Sequence, residues 1–473
     1  MARRSHSVFN IPTLTLLVTF AGAGLNACMV GPTYHRPTAP MSPSFKEAEG
    51  WSPANPSDAA DRKDWWTVFG DPTLNELEAK VNVSNQTLAG AEAAYRQAHA
   101  LVAQDRAALF PTISLGASAN AANSGRGTLT TYQPSIGGSW ALDIWGSVRR
   151  TIQEARASAQ ASAATLAGAR LSAHTEMAVD YIQLRQYDEE KRLLEASATA
   201  LGRTLTITQN KYNAGVAGKS DVLNAQSQYQ SSQAELTDLV QQRARSEHAI
   251  AILAGEAPAA LILAPSPWTL KLPDIPTATP STLIERRPDI ASAERAAAAA
   301  SAQIGVQTAA YFPALTLTGQ GGYASSQLGQ LFSASTSFWS VGASAAETLF
   351  DAGARRAKVG QARAAYDQAV ANYRQTVLEA FGQVEDNLTA QRVLAAEQAM
   401  RKAAADSAGA AETIARNQYA AGRVDYTTVV IAQTTAINAR NAELSIEAQR
   451  LIATVDLIEA LGGGWTASNL PRG

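Results

Sequence analysis

Proline is absent from residues 135–257 and from residues 314–470, although the chain carries 19 prolines in 473 residues. Inside a helix a proline costs about 3 kcal/mol, because its ring removes a backbone donor and collides with the preceding turn. The two proline-free runs are therefore where very long helices can exist, and the proline clusters at 32–56 and 258–288 read as linkers. Composition agrees: 46% of residues are hydrophobic but only 17% charged and 7% aromatic. The apolar share is largely Ala, which loses no side-chain entropy in a helix and lets neighbouring helices approach closely. A net charge of −2 offers no electrostatic footprint for a nucleic-acid partner.

The two halves repeat each other. LFPTISLG at 109–116 matches YFPALTLTG at 311–319, with Phe110 and Phe312 offset by 202; Arg149-Arg150 returns as Arg355-Arg356, offset by 206; NKYNAG at 210–215 returns as NQYAAG at 417–422, offset by 207. Self-similarity of this kind means one structural unit used twice. The first of the NKYNAG-type stretches runs on into Gly218-Lys219-Ser220, the last letters of a phosphate-binding loop, but position 213 is Asn where that loop requires Gly. The second copy continues AAGRVDYTT with no Gly-Lys-Ser, so the shared element is a turn. Gly215 and Gly422 suit the left-handed conformation that ends a helix. Ser220 or Asp221, and Asp425, are placed to cap the helix that follows.

Each half reads as helix, strand, strand, long helix, turn, helix. In the first repeat, 73–257, helices are expected over about 73–109, 147–212 and 221–254, and strands over about 112–122 and 131–143. In the second, 283–465, the helices fall at about 283–310, 353–419 and 425–461, and the strands at about 314–324 and 337–349. Residues 28–72 form an extended N-terminal segment, 258–282 a linker and 466–473 a tail. Each long helix would reach about 100 Å, and one short helix from each side of it sums to about the same length. The simplest packing stacks the short ones end to end beside the long one as a wall. Tyr366, Val370, Tyr373, Val377, Phe381, Val384 and Leu388 recur at helical spacing and mark a buried stripe.

The strands alternate. Ile113, Leu115, Ala117 and Ala119 oppose Thr112, Ser114, Gly116, Ser118 and Asn120, and Trp339, Val341, Ala343 and Ala345 oppose Phe338, Ser340, Gly342 and Ser344. About ten residues is the span of a tilted membrane strand. Four strands cannot close a barrel, for which about eight is the minimum, and an open edge cannot face lipid with its N–H and C=O groups unsatisfied. Several copies must pool their strands. The loops joining them, 123–130 and 325–336, are rich in Gly, Ser and Thr.

The N-terminus reads as an export signal over 1–27: Arg3 and Arg4, then a short apolar region at 11–23, then small residues. Leu25-Asn26-Ala27-Cys28 closes it and looks like the lipobox of bacterial lipoproteins. Cys28 is the only cysteine, so no internal disulfide is available. In the mature chain it would be the first residue and the site of the lipid.

With CMVGPTYHRP at Cys28, WWTVFGDPTLNEL from Trp65, SWALDIWGSVRR from Ser139, LIERRPDIASAERAAAAASAQIGVQTAAYFP from Leu283 and ALGGGW ending at Trp465, the chain resembles the outer-membrane factors of tripartite efflux systems. These are the TolC-like and OprM-like proteins, and the likeness is to their NodT-type lipoprotein branch. The resemblance implies a mostly α fold with a membrane β-barrel part: a homotrimer of twelve strands in the bacterial outer membrane over a periplasmic barrel of twelve helical columns. It implies a periplasmic adaptor and an inner-membrane pump of the resistance-nodulation-division type as partners, outer-membrane lipid around the barrel, and no cofactor. It places a gate at the hairpin tips, with Asp221 and Tyr419 matching gate positions and Arg423 and Asp425 close by. The plain alternatives are helix capping for the two aspartates and seam-filling for Tyr419.

An enzyme is not expected. His35, His99, His174 and His248 show no metal-binding spacing, no G-x-S-x-G elbow is present, and Gly319, Gly321 and Gly322 read as close packing or a bend in a strand. The function read here is a passive exit duct for small molecules such as drugs. The other readings are a lipid-anchored periplasmic tether without a pore, and an outer-membrane factor for type I protein secretion.

Overall fold

The computed structural model describes residues 29–40, 44–47, 64–123, 125, 127–273 and 285–471. The expected signal and Cys28 lie outside the described residues. A short 3-10 helix, Trp65–Phe69, leads into α1 (Pro72–Ser84) and α2 (Gln86–Ala107), followed by β1 (Thr112–Asn123), β2 (Thr128–Leu142), α3 (Ser147–Asn213) and α4 (Lys219–Leu253). The second half runs α5 (Pro288–Ala309), β3 (Ala314–Tyr323), β4 (Ser337–Ala346), α6 (Ala354–Ala420) and α7 (Tyr426–Ala460). Both α3 and α6 are 67 residues long, about 100 Å.

Several boundaries need correction. The single helix expected over 73–109 is two, because Asn85 takes an extended backbone and its side chain caps α2 by accepting from the Leu88 N–H at 3.0 Å. Asn favours such caps because its side chain competes for backbone partners. The continuous helix expected from 283 begins at Pro288, with extended Arg287 before it and proline at the position where its missing N–H costs nothing. β2 begins at Thr128 rather than 131, which narrows the first loop, and β4 ends at Ala346 rather than 349. Neither Ser220 nor Asp221 caps α4: Gly218 is its cap residue, without a side-chain bond, and Asp221 lies in the first turn.

Helix packing defines an open wall. α3 packs against α2 and α4 and also against α5 and α7, whereas the main helical packing of α6 is against α5 and α7. Columns therefore run in the order α2/α4, α3, α5/α7, α6, with the first and last unpartnered on their outer sides. The short helices of each composite column meet at a joint, and the two joints are built alike. At the first, Asn85 Nδ2 donates to the Leu253 carbonyl at 2.9 Å; at the second, Arg287 Nη1 donates to the Ala460 carbonyl at 3.0 Å. Each thereby satisfies a carbonyl orphaned at a helix end.

The largest core surrounds the first joint and joins Trp65, Trp66, Phe69, Leu74, Met177 and Ile250 among others. Full burial of each such side chain stabilises by about 1.5–3 kcal/mol. The stripe on α6 forms a second core, where Tyr373, Val377, Val384 and Leu388 pack against Ile290 and Leu457. Phe45 from the N-terminal segment closes it against Phe381.

Candidate functional site

The four strands form one antiparallel sheet in the order β1-β2-β3-β4. Its register carries the alternation of each strand across the whole sheet. Ile113 lies opposite Gly138, Gly138 opposite Gly319 and Gly319 opposite Val341; Leu115 lies opposite Ile136, Ile136 opposite Gly321 and Gly321 opposite Trp339. Trp140, Leu317 and Ala343 continue the same face. The other face carries Ser114, Gly137 and Gln320, then Ser139, Thr318 and Gly342. One surface is mainly apolar and the other mainly polar, with Phe338 and Ala141 among the exceptions on the second.

The apolar surface is bare in a single copy: Ile113 is 73% exposed, Leu115 84%, Val341 79% and Trp339 81%. A continuous face of this kind is incompatible with water and suits lipid. Among the described residues both edges, β1 and β4, lack a partner strand, and they continue into the outer helical columns, since β1 follows α2 and β4 precedes α6. Strand edge and column edge thus call for the same neighbour, a rotated copy of the chain. Gly322 belongs to close packing: a Cβ there would lie 2.3 Å from the Pro134 carbonyl oxygen.

The junction between sheet and helices explains the repeated motifs. The Asp143 carboxylate accepts from the Val148 and Arg149 N–H groups at 2.9 and 3.0 Å and from Arg149 Nε at 3.0 Å. Asp351 does the same for Gly353 and Arg355, with Arg355 Nε at 2.8 Å. Trp145 stacks on Phe312 with centroids 4.7 Å apart and donates from Nε1 to the Pro313 carbonyl at 2.9 Å. Aromatic rings collect where a bilayer meets water.

At the opposite end α3 turns into α4 and α6 into α7. Gly215 (φ 77°) and Gly422 (φ 71°) are left-handed. In both turns the residue after the glycine closes back on the helix, Val216 N–H to the Lys211 carbonyl and Arg423 N–H to the Gln418 carbonyl, each at 2.9 Å. Tyr419 is buried between the tips, its hydroxyl 3.4 Å from Thr208 Oγ1 and its ring 5.5 Å from that of Tyr426. Lys211 Nζ sits 3.7 Å over the Tyr419 ring and donates to its carbonyl at 3.1 Å.

Asp425 caps α7, accepting from the Thr428 N–H at 3.1 Å and Oγ1 at 2.8 Å. Asp221 is half-buried and near Tyr426. Burial, then Tyr419, then Asp221 push the Tyr426 hydroxyl up to about 12. Arg423 is exposed, and its side chain forms no hydrogen bond or ion pair among the described residues. Tyr419, Asp221 and Tyr426 are thus brought together, Asp425 serves the helix end, and Arg423 stands apart. Sequence reasoning missed Lys211 and Tyr426. The available signal was charge: Lys211 matches the neutral Gln418 in the other copy.

The buried His174 was also missed as a partner. Its Nδ1 lies 2.6 Å from Glu78 Oε2, its Nε2 lies 3.2 Å from Asn82 Oδ1, and its ring stacks on Trp66 at 4.3 Å.

The profile of the family described as outer membrane efflux protein matches residues 79–256 and 279–463. The outer membrane protein OprJ of Pseudomonas aeruginosa is 30% identical over 97% of this chain and 96% of its own. The pyoverdine export outer membrane protein OpmQ of the same species is 29% identical over 93% and 96%. Among solved structures, the outer-membrane channel OprN superposes with a TM-score of 0.86 at 29% identity, covering 93% of this chain and all of its own. The MtrE outer membrane channel of Neisseria gonorrhoeae, in its open state, gives 0.84 at 25% identity over 93% and 99%. The open stave seen here, with one lipid-suited face and two matching edges, belongs to the outer membrane efflux protein family, a subunit of its trimeric exit ducts.

Proposed function

We propose that three copies form a passive duct through which a periplasmic adaptor and an inner-membrane pump of the resistance-nodulation-division type discharge small molecules. The observation that carries this reading is the sheet register, which sets a mainly apolar face against a mainly polar one across all four strands. Closed on itself, such a sheet presents lipid outside and a wet lumen inside. Relatives named for pyoverdine export and for toluene and solvent efflux support a small-molecule cargo. The energy for transport comes from the partners, and the duct needs no cofactor.

Cys28 carries the lipid anchor. The Val30 N–H donates to the Trp145 carbonyl at 3.1 Å, so the residues that follow Cys28 are held where β2 ends and α3 begins. From there the N-terminal segment descends along the wall: Tyr34 donates to Glu294, Arg374 Nε to the Thr38 carbonyl at 3.0 Å, and the Lys46 and Glu47 N–H groups to Glu385 at 2.7 and 2.9 Å. Asp221 and Tyr419 hold the tips closed, with Lys211 clamping Tyr419, Asp425 fixing the helix start and Arg423 positioned to meet the adaptor. Opening requires the adaptor to bind the open tips more tightly than the closed ones.

Planar-bilayer recording of the purified lipoprotein, with chemical cross-linking of the same sample, tests the duct. A cross-linked trimer with discrete conductance steps is expected. A monomer that leaves the bilayer sealed overturns the duct and favours the pore-less tether.

A further inference from the structure

Just below the sheet, α3 and α5 part around a cavity of about 430 Å³ lined by Met29, Tyr34, Arg150, Gln153, Arg156 and Arg295 among others. Three arginines converge on it, and their charges are not balanced. Arg295 is neutralised by Glu294, with Nη2 to Oε1 at 2.6 Å, and Glu294 also accepts from the Tyr34 hydroxyl. Arg150 is buried, and it donates only to neutral groups: Nε to the Val30 carbonyl, Nη2 to the Gly31 carbonyl and Nη1 to Gln153 Oε1, each at 3.0 Å. Burial lowers its pKa, and no ion pair opposes the effect among the described residues. Arg156 forms no hydrogen bond or ion pair among the described residues, and its Nε is buried without a partner. Glu154, the nearby acid on α3, is influenced by Asp105 of α2 on the other flank.

Two guanidinium groups around one cavity with no carboxylate between them call for an anion, because a desolvated charge is costly unless it is paired. Position identifies the anion. Ser147 opens α3 at the foot of β2, which puts Arg150 and Arg156 about 5 and 14 Å down the helix axis. Side chains on a helix lean toward its N-terminus, here the membrane end, and Arg150 is held beside the segment that meets the end of the sheet by the Val30 and Gly31 carbonyls. α3 and α5 belong to the two inner columns of the stave, so the cavity lies away from both open edges of the wall. The volume falls in the range of small-ligand sites.

We propose that the cavity holds the phosphate of an anionic phospholipid from the inner leaflet of the outer membrane, gripped by Arg156 and the remaining N–H groups of Arg150. Planar guanidinium forks suit phosphate oxygens. The site depends on the membrane orientation given above and not on lipidation of Cys28.

Native mass spectrometry of the purified full-length trimer, offered phosphatidylglycerol and phosphatidylethanolamine in equal amounts, tests it. The wild type is expected to retain phosphatidylglycerol preferentially. Arg156→Gln, which removes no internal bond, should lower that retention on the order of tenfold, the loss of one charge-assisted contact, with the trimer intact; Arg156→Lys should restore most of it. Equal retention of the two lipids, or undiminished retention in Arg156→Gln, overturns the site. If inorganic phosphate alone displaces the lipid and protects the trimer from heat equally well, the ligand is free phosphate and the lipid assignment falls. Failure of palmitate labelling at Cys28 overturns the anchor alone, whereas the phosphatidylglycerol preference should persist in Cys28→Ser.

Discussion

The joints at the middle of the wall and the turns at its tip use the same device, a left-handed glycine ending a helix, in opposite surroundings. A Cβ on Gly255 would lie 2.0 Å from the Ser84 carbonyl oxygen, and one on Gly462 would lie 2.0 Å from that of Arg286. A Cβ on Gly215 or Gly422 would meet nothing within 4 Å. One pair of helix ends is therefore locked between backbones, and the other is free on its outer side. The backbones leave no room where the columns are spliced and leave open space at the turns.

Alanine at the four glycines should break this symmetry most visibly. At Gly255 or Gly462 the strained φ is compounded by a backbone clash that no side chain can relieve, and a loss of about 3 kcal/mol or more is expected, with failure to assemble. At Gly215 or Gly422 only the conformational term remains, about 1 kcal/mol. Thermal unfolding of the four purified variants measures the difference. Equal losses at joint and tip would show that the joints are not locked.

The first joint differs from the second in carrying a buried proton pair. Burial pushes Glu78 up to about 9, while burial and then Arg170 bring His174 down to about 4. Near neutrality both groups are uncharged, and the carboxyl O–H donates to His174 Nδ1. Between the ordinary histidine value of about 6.5 and pH 9, the folded chain keeps a Glu78 proton that the unfolded chain has lost, so stability falls as pH rises. The slope is at most about 1.4 kcal/mol per pH unit. Between about 4.5 and 6.5 the histidine works in the opposite direction and the two cancel. Glu78→Gln should abolish the alkaline decline in melting temperature, and a decline that survives would place its origin elsewhere.

What could be read from the chain alone follows the range of the interactions. Strand faces obey a period of two, so Ile113, Leu115, Val341 and Trp339 were assigned to their faces without tertiary information. The tip glycines were legible because the motif appears twice. The break at Asn85 was not, since NVSNQTL contains no proline or glycine, and the cap is reinforced by a carbonyl 168 residues away. Lys211 and Tyr419 are 208 residues apart, and Glu78 and His174 are 96 apart. Pairings at such distances leave no local pattern. Nor did Arg150 announce that its bonds would go to the N-terminal segment rather than to an acid.

The finest distinction lies within the tips, between two aspartates three positions out of register: Asp425 is the cap residue of α7, where α4 has Gly218, and Asp221 sits in the first turn of α4. Asp425→Ala removes a cap that satisfies the Thr428 N–H and hydroxyl, and about 1 kcal/mol of helix stability should go with it. Asp221 makes no cap bond, and its place in the first turn of α4 is worth only about 0.3–1 kcal/mol through the helix dipole. Asp221→Ala should therefore shift melting less than Asp425→Ala, yet, as the proposed gate residue, raise single-channel conductance more, because its half-buried carboxylate stands near Tyr426, which packs on Tyr419. Conductance at the wild-type level in Asp221→Ala would reduce that residue to a solvated helix-start acid. The seam would then be held by Tyr419 under its lysine, and Tyr419→Phe, which loses only a 3.4 Å hydroxyl contact, would be too mild to open it; Lys211→Met, which removes both the ring contact and the bond to the Tyr419 carbonyl, would be the variant that does.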